Sequence, residues 1–540
     1  MKKATALILI LSLVLMLASC SDGSGSTLTC PVNGFPSTID PLYAEGTSAQ
    51  TVILNCFEGL VRLDEDGKVI PGVAESWSVS DDGLIYTFNL RKDSEWALVR
   101  KVNTATVGDD YEDFDTSVTA YDFVFAFTRA VKPDSDCPYA NAFSIIKNAA
   151  DVHNGKTALS NLGVNARDDY ELTVALEEPC PDFLERLTEN PFMPCNEEFF
   201  NLTGGRYGLS PANTLCNGPF YFRSSDSTTF TMRKNPVYKG QESVMPSEVN
   251  LVKDNDSTSV SEALASGKYS AALLNVTDYT SEGAVSVTKI NNAVVGFCFN
   301  CRDEITENEN VRLAFISCIH KADFTLPEFS GGYTKSSVPA CCRVMGTPYS
   351  EISNGKISPV SNDAEAANAC LAAAFEQLVC TSIDLNIICS GKAADAVRSQ
   401  VQNCQKVLGS DVRLTVEVVD DFTLNSRLAS GDFQIAFAPL YSSTCSAPEY
   451  LEYFVKGGSN NILRQKSPEY DLLVENIRGT TASTALRSAC LDADRYLIEH
   501  GVFYPVYSGC SCFVEAEGVS GAYCTPAGGG ICFISACCAD

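Results

Sequence analysis

Cys298 and Cys301 stand in the run Cys-Phe-Asn-Cys, the spacing of a redox or metal-holding pair. No second pair follows at zinc spacing, and the run is apolar and strand-like, so two cysteines edging a buried strand explain it better. The same holds for Cys510 with Cys512, Cys341 with Cys342 and Cys537 with Cys538. The chain has 540 residues and only three histidines, His153, His320 and His500, each isolated from the others. There is no His-Glu-x-x-His helix motif and no Gly-x-Ser-x-Gly nucleophile turn. Glycines near the C-terminus ("GAYCTPAGGG") lack the lysine and following helix of a phosphate loop. Asp109-Asp110 and Glu177-Glu178 sit in polar turns, where a solvated loop is a simpler account than glycosidase chemistry. The residues imply no catalytic centre, no metal and no cofactor.

One cysteine is different. Lys2 and Lys3 precede an apolar stretch, and Leu17-Ala18-Ser19-Cys20 then gives way to "SDGSGST". This is the pattern of an export signal, with Cys20 placed as the lipidated first residue of the mature chain and a small polar tether behind it. The alternative is an ordinary cleaved signal beside an incidental cysteine. No later segment is long and apolar enough to span a bilayer, so contact with a membrane would run through the lipid alone. The formal charge of −28 argues against nucleic acid as a partner. Of 24 cysteines, 23 follow Cys20; an exported chain could pair some, and we expect buried thiols acting as small hydrophobes together with a few disulfides.

Strands and helices alternate along the rest. In "GLIYTFNLRKDSEW", Leu84, Tyr86, Phe88 and Leu90 share one face of a half-buried strand. "YELTVALEEP" repeats the pattern with Leu172, Val174 and Leu176. Thr119 with Asp122 opens a helix as a capping box, Phe123, Phe127 and Val131 form its stripe, and Pro133 stops it. Helices are predicted through Val311–Ile319, over "DAEAANACLAAAFEQL" and over "ALRSACLDADRYLIEHG". Strands are predicted on "DVRLTVEVVD", "DFQIAFAPL" and "VFYPVYS". No 20- to 50-residue repeat appears, so the fold class is mixed α/β in several lobes.

Residues 57–96 ("FEGLVRLDEDGKVIPGVAESWSVSDDGLIYTFNLRKDSEW") resemble the signature of the large solute-binding proteins of ABC importers, the peptide/nickel-binding family 5. The likeness continues through "VTAYDFVFAFTRAVKPDSDCPYA", "LGVNARDDYELTVALEEPCPDFLERL", "NGPFYF", "MRKNPVYKG", "ENVRLAFISCIHKADF" and "SPEYDLLVENI", in the family's order. Among members the chain is most similar to oligopeptide-binding lipoproteins.

The resemblance implies a two-lobed clamp of the periplasmic-binding-protein type (type II, cluster C), with mixed sheets flanked by helices and an extra domain II. It divides the chain into a signal (1–20), a tether (21–28), domain I in three pieces (29–57, 194–292 and 510–540), domain II (58–193) and domain III (293–509). It implies a non-catalytic, monomeric receptor on the outer face of the cell membrane. Such a receptor takes a peptide or other small solute and hands it to a permease and ATPase complex. In the family an extended peptide lies between the lobes as an added strand. On that basis the expected ligand contacts are Glu45, Gly46, Thr47 and Tyr139. In domain III they are Leu440, Tyr441, Ser442 and Ser443.

One departure stands out. Oligopeptide-binding members usually carry a Trp and then an Asp ahead of "P-x-x-F/Y-L", the aspartate pairing with the peptide's amino group. Here "APLYSSTCSAPEYL" has neither, and Ser442, Ser443, Thr444 and Cys445 fill the zone. Either Glu449 or another acid substitutes, or the guest has no free amino terminus, as with a blocked peptide or an oligosaccharide. A pheromone sensor on the same scaffold and a surface hydrolase are the other readings.

Overall fold

The computed structural model describes residues 25–108, 112–254, 256–275, 286–326, 330–359, 362–458, 461–527 and 529–539. The expected signal, Cys20 and the first residues of the tether lie outside them. The strand Thr27–Val32 pairs in parallel with Glu248–Lys253 from Thr27 onward, so the last two residues of the expected tether are already strand.

Three main sheets carry the molecule. The first orders Thr27–Val32, Glu248–Lys253, Thr229–Lys234 and Phe220–Ser225. The second orders Ala74–Val79, Ile85–Leu90, Glu171–Ala175 and Val164–Asp168, all antiparallel. Its alternation is the one read from the sequence: Tyr86, Phe88 and Leu90 are buried, Ile85 is exposed. Against this sheet packs the helix Ala120–Val131, whose Thr119–Asp122 capping box is formed. Phe127 meets Phe143 and Phe192 edge-on, with centroids 5.4 and 5.6 Å away. Burying each such ring is worth roughly 1.5–3 kcal/mol, which fixes the helix on the sheet.

The third sheet has six strands in the order Ala271–Asn275, Phe503–Glu515, Ser286–Phe299, Ile435–Tyr441, Ile383–Ser390 and Val412–Val419. Apolar residues fill both its faces. One layer includes Tyr450, Tyr470 and Leu497; the other includes Phe315, Val397 and Leu408.

Two strands of that sheet are long, and they join the lobes. Ser286–Phe299 and Phe503–Glu515 run antiparallel, and their register breaks between Ile290 and Ala293. Asn291 and Asn292 therefore bulge opposite Cys510, a geometry that bends and twists a ribbon. Asn292 ties the bulge to its surroundings, its carbonyl accepting from Ser442 N at 2.9 Å and its amide donating to Ala527 O at 3.3 Å.

The cysteines differ from expectation. All 23 described cysteines carry free thiols, most of them buried, so the few disulfides expected of an exported chain are not formed among the described residues. Cys298, Cys318, Cys389 and Cys404 pack within the apolar layers as small hydrophobes.

Candidate functional site

The chain enters the site region through Asp40, whose carboxylate is gripped by Arg129 at 2.5 and 3.4 Å. Both are buried, and the guanidinium also lies over the Phe200 ring at 4.1 Å. This pair fastens the segment before Gly46 to the helix Ala120–Val131. Gly46 then starts the helix Thr47–Cys56 with φ 88° and ψ 167°, a conformation almost confined to glycine. Glu45, Gly46 and Thr47 are exposed. Tyr139 donates its hydroxyl to the Ala44 carbonyl at 3.1 Å, which places it beside the Glu45–Thr47 segment. Burial, then the nearby Glu45 charge, push the Tyr139 phenol upward.

The C-terminal tail completes this wall. The Asn55 amide donates to Ile531 O at 2.6 Å, and its side-chain oxygen accepts from Phe533 N at 3.0 Å. Gly530 lies so near Gln50 and Thr51 that a Cβ there would meet backbone atoms at 3.0 Å. The glycine-rich tail serves close packing on a helix rather than phosphate binding.

The opposite wall comes from the strand Ile435–Tyr441 and the turn after it. Leu440 points into the core, Tyr441 is half exposed, and Ser442 is buried with its hydroxyl donating to Thr444 O at 2.8 Å. Of the four expected contacts here, only Ser443 reaches the cavity, and its hydroxyl bonds the Tyr453 hydroxyl at 2.7 Å. Ser446 caps the helix Ala447–Glu452, accepting from Glu449 N at 3.2 Å, and donates to the Asp182 carboxylate across the cleft.

Between these walls lies a cavity of about 240 Å³. Gln50, Tyr139, Glu189 and Ser443 line it, together with the tail around Thr525–Gly530. Pieces remote in sequence thus converge on one space, and Tyr139 and Ser443 are brought together in it. Glu45, Gly46 and Thr47 do not line it themselves; their helix does, through Gln50 and Leu54. A larger open cavity of about 380 Å³ lies beside Asp40, Arg129 and Tyr207, but its guanidinium is already paired and it reaches nothing from residues 440–446.

The acids of the site were not found from the sequence. Glu185 and Glu189 line the cavity. Burial raises the Glu185 carboxyl to about 7, with Asp182 adding to it. Glu189 shares a hydrogen bond with Glu449, burial raises both, and Glu449 also accepts from Thr444 Oγ1 at 2.7 Å. Arg186 lies between Asp182 at 3.3 Å and Glu452 at 3.4 Å. Burial pushes Asp182 up, yet Arg186 and the bonds from Cys180 and Ser446 outweigh it and hold this carboxyl below its usual range. The sequence carries little signal for them, because the helix there, Phe183–Arg186, is too short to show a period. Among the described residues no group of three or more His, Cys, Asp or Glu is placed to hold a metal, and no helix is long and apolar enough to cross a membrane.

The sequence matches the model of the bacterial extracellular solute-binding proteins, family 5, over residues 68–461. It is 25% identical over 549 aligned positions to the oligopeptide-binding protein OppA of Bacillus subtilis, covering 96% of this chain and 97% of that one. It is 24% identical over 436 positions to a dipeptide-binding protein of Lactococcus lactis, covering 77% and 76% respectively. The substrate-binding domain of an oligopeptide ABC transporter from Bacillus anthracis superposes with a TM-score of 0.74 at 24% identity, over 96% of this chain and 99% of that one. That likeness establishes the two-lobed fold.

Proposed function

The chain belongs to the family 5 bacterial extracellular solute-binding proteins, and from that premise we propose that it is a lipid-anchored receptor that captures short peptides between its lobes and passes them to an ABC permease. As a solute-binding protein of this family it is a receptor rather than an enzyme. The anchor is Cys20, and domain I in its three pieces, domain II (58–193) and domain III (293–509) form a two-lobed clamp that closes over the guest at a hinge. The observation that carries the reading is the cavity where Tyr139, Ser443, Glu189 and the tail at Thr525–Gly530 meet.

In that space a peptide lies against Gln50, Tyr139 and Ser443, and from there it runs on past the exposed Glu45–Thr47 segment, its main chain bonded to protein backbone. Main-chain groups are common to all peptides, so this mode gives affinity without strong sequence preference. Each bond nets roughly 0.5–1.5 kcal/mol, and several reach the roughly −8 kcal/mol of a micromolar site. A volume of about 240 Å³ lies just below the roughly 300–1,000 Å³ that ligand pockets commonly hold. The size favours short guests. Glu185 and Glu189, with Glu449 behind, supply the acid that the turn at 442–445 lacks, so a free amino terminus is part of the recognised guest.

Thermal unfolding in the presence of random dipeptide, tripeptide and tetrapeptide pools, their N-acetylated counterparts, and oligosaccharides tests this. Stabilisation by free peptides above the others is expected. Stabilisation by acetylated pools alone would remove the acid from recognition, and stabilisation by sugars alone would remove the peptide.

A further inference from the structure

Three polar links join the stretch 182–189 of one lobe to the helix Ala447–Glu452 of the other. Ser446 donates to Asp182, Arg186 pairs with Glu452 at 3.4 Å, and Glu189 meets Glu449. The first two are ordinary complementary contacts. The third sets acid against acid, and a hydrogen bond between two carboxyl groups exists only while one of them carries a proton. Two carboxylates at that contact would repel across the cleft.

The surroundings relieve that repulsion only in part: Arg186 favours the charged form of both carboxyls, while Asp182 opposes it. On the same stretch as Glu189 stand Asp182, Glu185 and Arg186, and on the facing helix stand Glu449 and Glu452. Thr444 donates to Glu449 at 2.7 Å, the Tyr453 hydroxyl lies nearby but is bonded to Ser443, and Tyr139 faces Glu189 from the cavity side. Cys180 and Cys445 are neutral thiols pushed upward by burial. Arg186 is the cation in this set, and it is engaged by Asp182 and Glu452.

We propose that the Glu189–Glu449 pair is a proton-dependent latch between the lobes: the shared proton holds the clamp shut, and its loss opens it. Burial raises both carboxyls in the closed form, whereas in an opened cleft each is solvated and titrates near the usual glutamate value of about 4.3. The closed-form value is the higher one. The latch's contribution to closure is therefore complete below the open-form value and is lost as pH rises through the closed-form value. Closure and guest retention are favoured at an acidic cell surface, and opening at an alkaline one.

Glu189 also lines the proposed guest site, so the latch is tested on the full, ligand-free chain, where no guest competes for it, and a negative result leaves peptide capture untouched. Small-angle X-ray scattering from pH 5 to 9 reads the lobe separation. The wild-type radius of gyration is expected to increase through a single transition. In Glu189→Gln and in Glu449→Gln that transition disappears, because an amide donates to the remaining carboxylate without a titrating proton. A flat wild-type profile, or variants that open at the same pH as wild type, overturns the proposal. Infrared spectroscopy gives a measure that does not depend on the variants folding: the protonated-carboxyl band of the wild-type protein is lost over the same pH range as the expansion. A band that persists after the lobes part, or that vanishes before they do, contradicts the latch.

Discussion

Arg186 is the cation that lets two acids be buried where the lobes touch, and replacing it by methionine isolates that role. Its side chain is 13% exposed, Asp182 7% and Glu452 17%. Removing one partner of a buried ion pair costs about 3–5 kcal/mol, because the remaining charge is left uncompensated, whereas a surface pair contributes about 0.2–1 kcal/mol. Asp182 keeps the bonds from Ser446 and Cys180. Glu452 keeps Arg478 at 3.1 Å. Those residual partners place the expected loss at the lower end, about 3 kcal/mol. Arg186→Met is therefore expected to lower the unfolding free energy in urea by about that amount, and Arg186→Lys by less, since an ammonium retains the charge but lacks the guanidinium's fork. A loss below about 1 kcal/mol for Arg186→Met would mean that the contact behaves as a solvated surface pair. The account of how the lobes meet would then be wrong.

Other consequences follow from single contacts. Tyr139→Phe leaves the buried Ala44 carbonyl without its donor, a cost of about 1–3 kcal/mol. Isothermal calorimetry with a stabilising short peptide should show roughly tenfold weaker binding, and unchanged affinity would remove Tyr139 from the site. Gly46→Ala forces a side chain into φ 88°, ψ 167° at about 1–3 kcal/mol; an unaltered thermal midpoint would show that the segment adopts another conformation. Burial raises the Asp122 carboxyl to about 7, opposed by the bond it accepts from Thr119 N. Its neutral form is favoured by folding, so its contribution is complete below the unfolded value and lost as pH rises through about 7. Asp122→Asn should flatten the fall in unfolding free energy between about pH 4 and 7, the interval from the unfolded to the folded value, and an unchanged slope would assign that fall to other groups.

Much of the frame was legible where one segment carries its own signal. Thr119 and Asp122 announce a helix start by side chain alone, and the alternation from Tyr86 to Leu90 names its buried face without reference to a partner. The long connecting strands were only partly legible. The apolar run "VFYPVYS" stops at Ser508, yet the strand continues through Gly509, Cys510, Ser511 and Cys512 to Glu515. Those residues are not strong strand formers; they are extended because Ala271–Asn275 and Ser286–Phe299 pair with them from either side. In the domain III turn, chain order located Leu440 to Ser443 but could not tell which side chain faces the cleft. Leu440 is taken by the apolar layer beneath, leaving Ser443 at the cavity. The acids were the least legible. Glu189 and Glu449 are 260 positions apart, and Glu189 follows a helix of only four residues, Phe183–Arg186, too short to display a period. Only the closing of one lobe on the other brings them together.

Native mass spectrometry of the protein isolated gently from its source tests peptide capture most directly. Bound species that separate on denaturation and sequence as short peptides with free amino termini are expected. Protein carrying a sugar or another non-peptide solute in that space would contradict it.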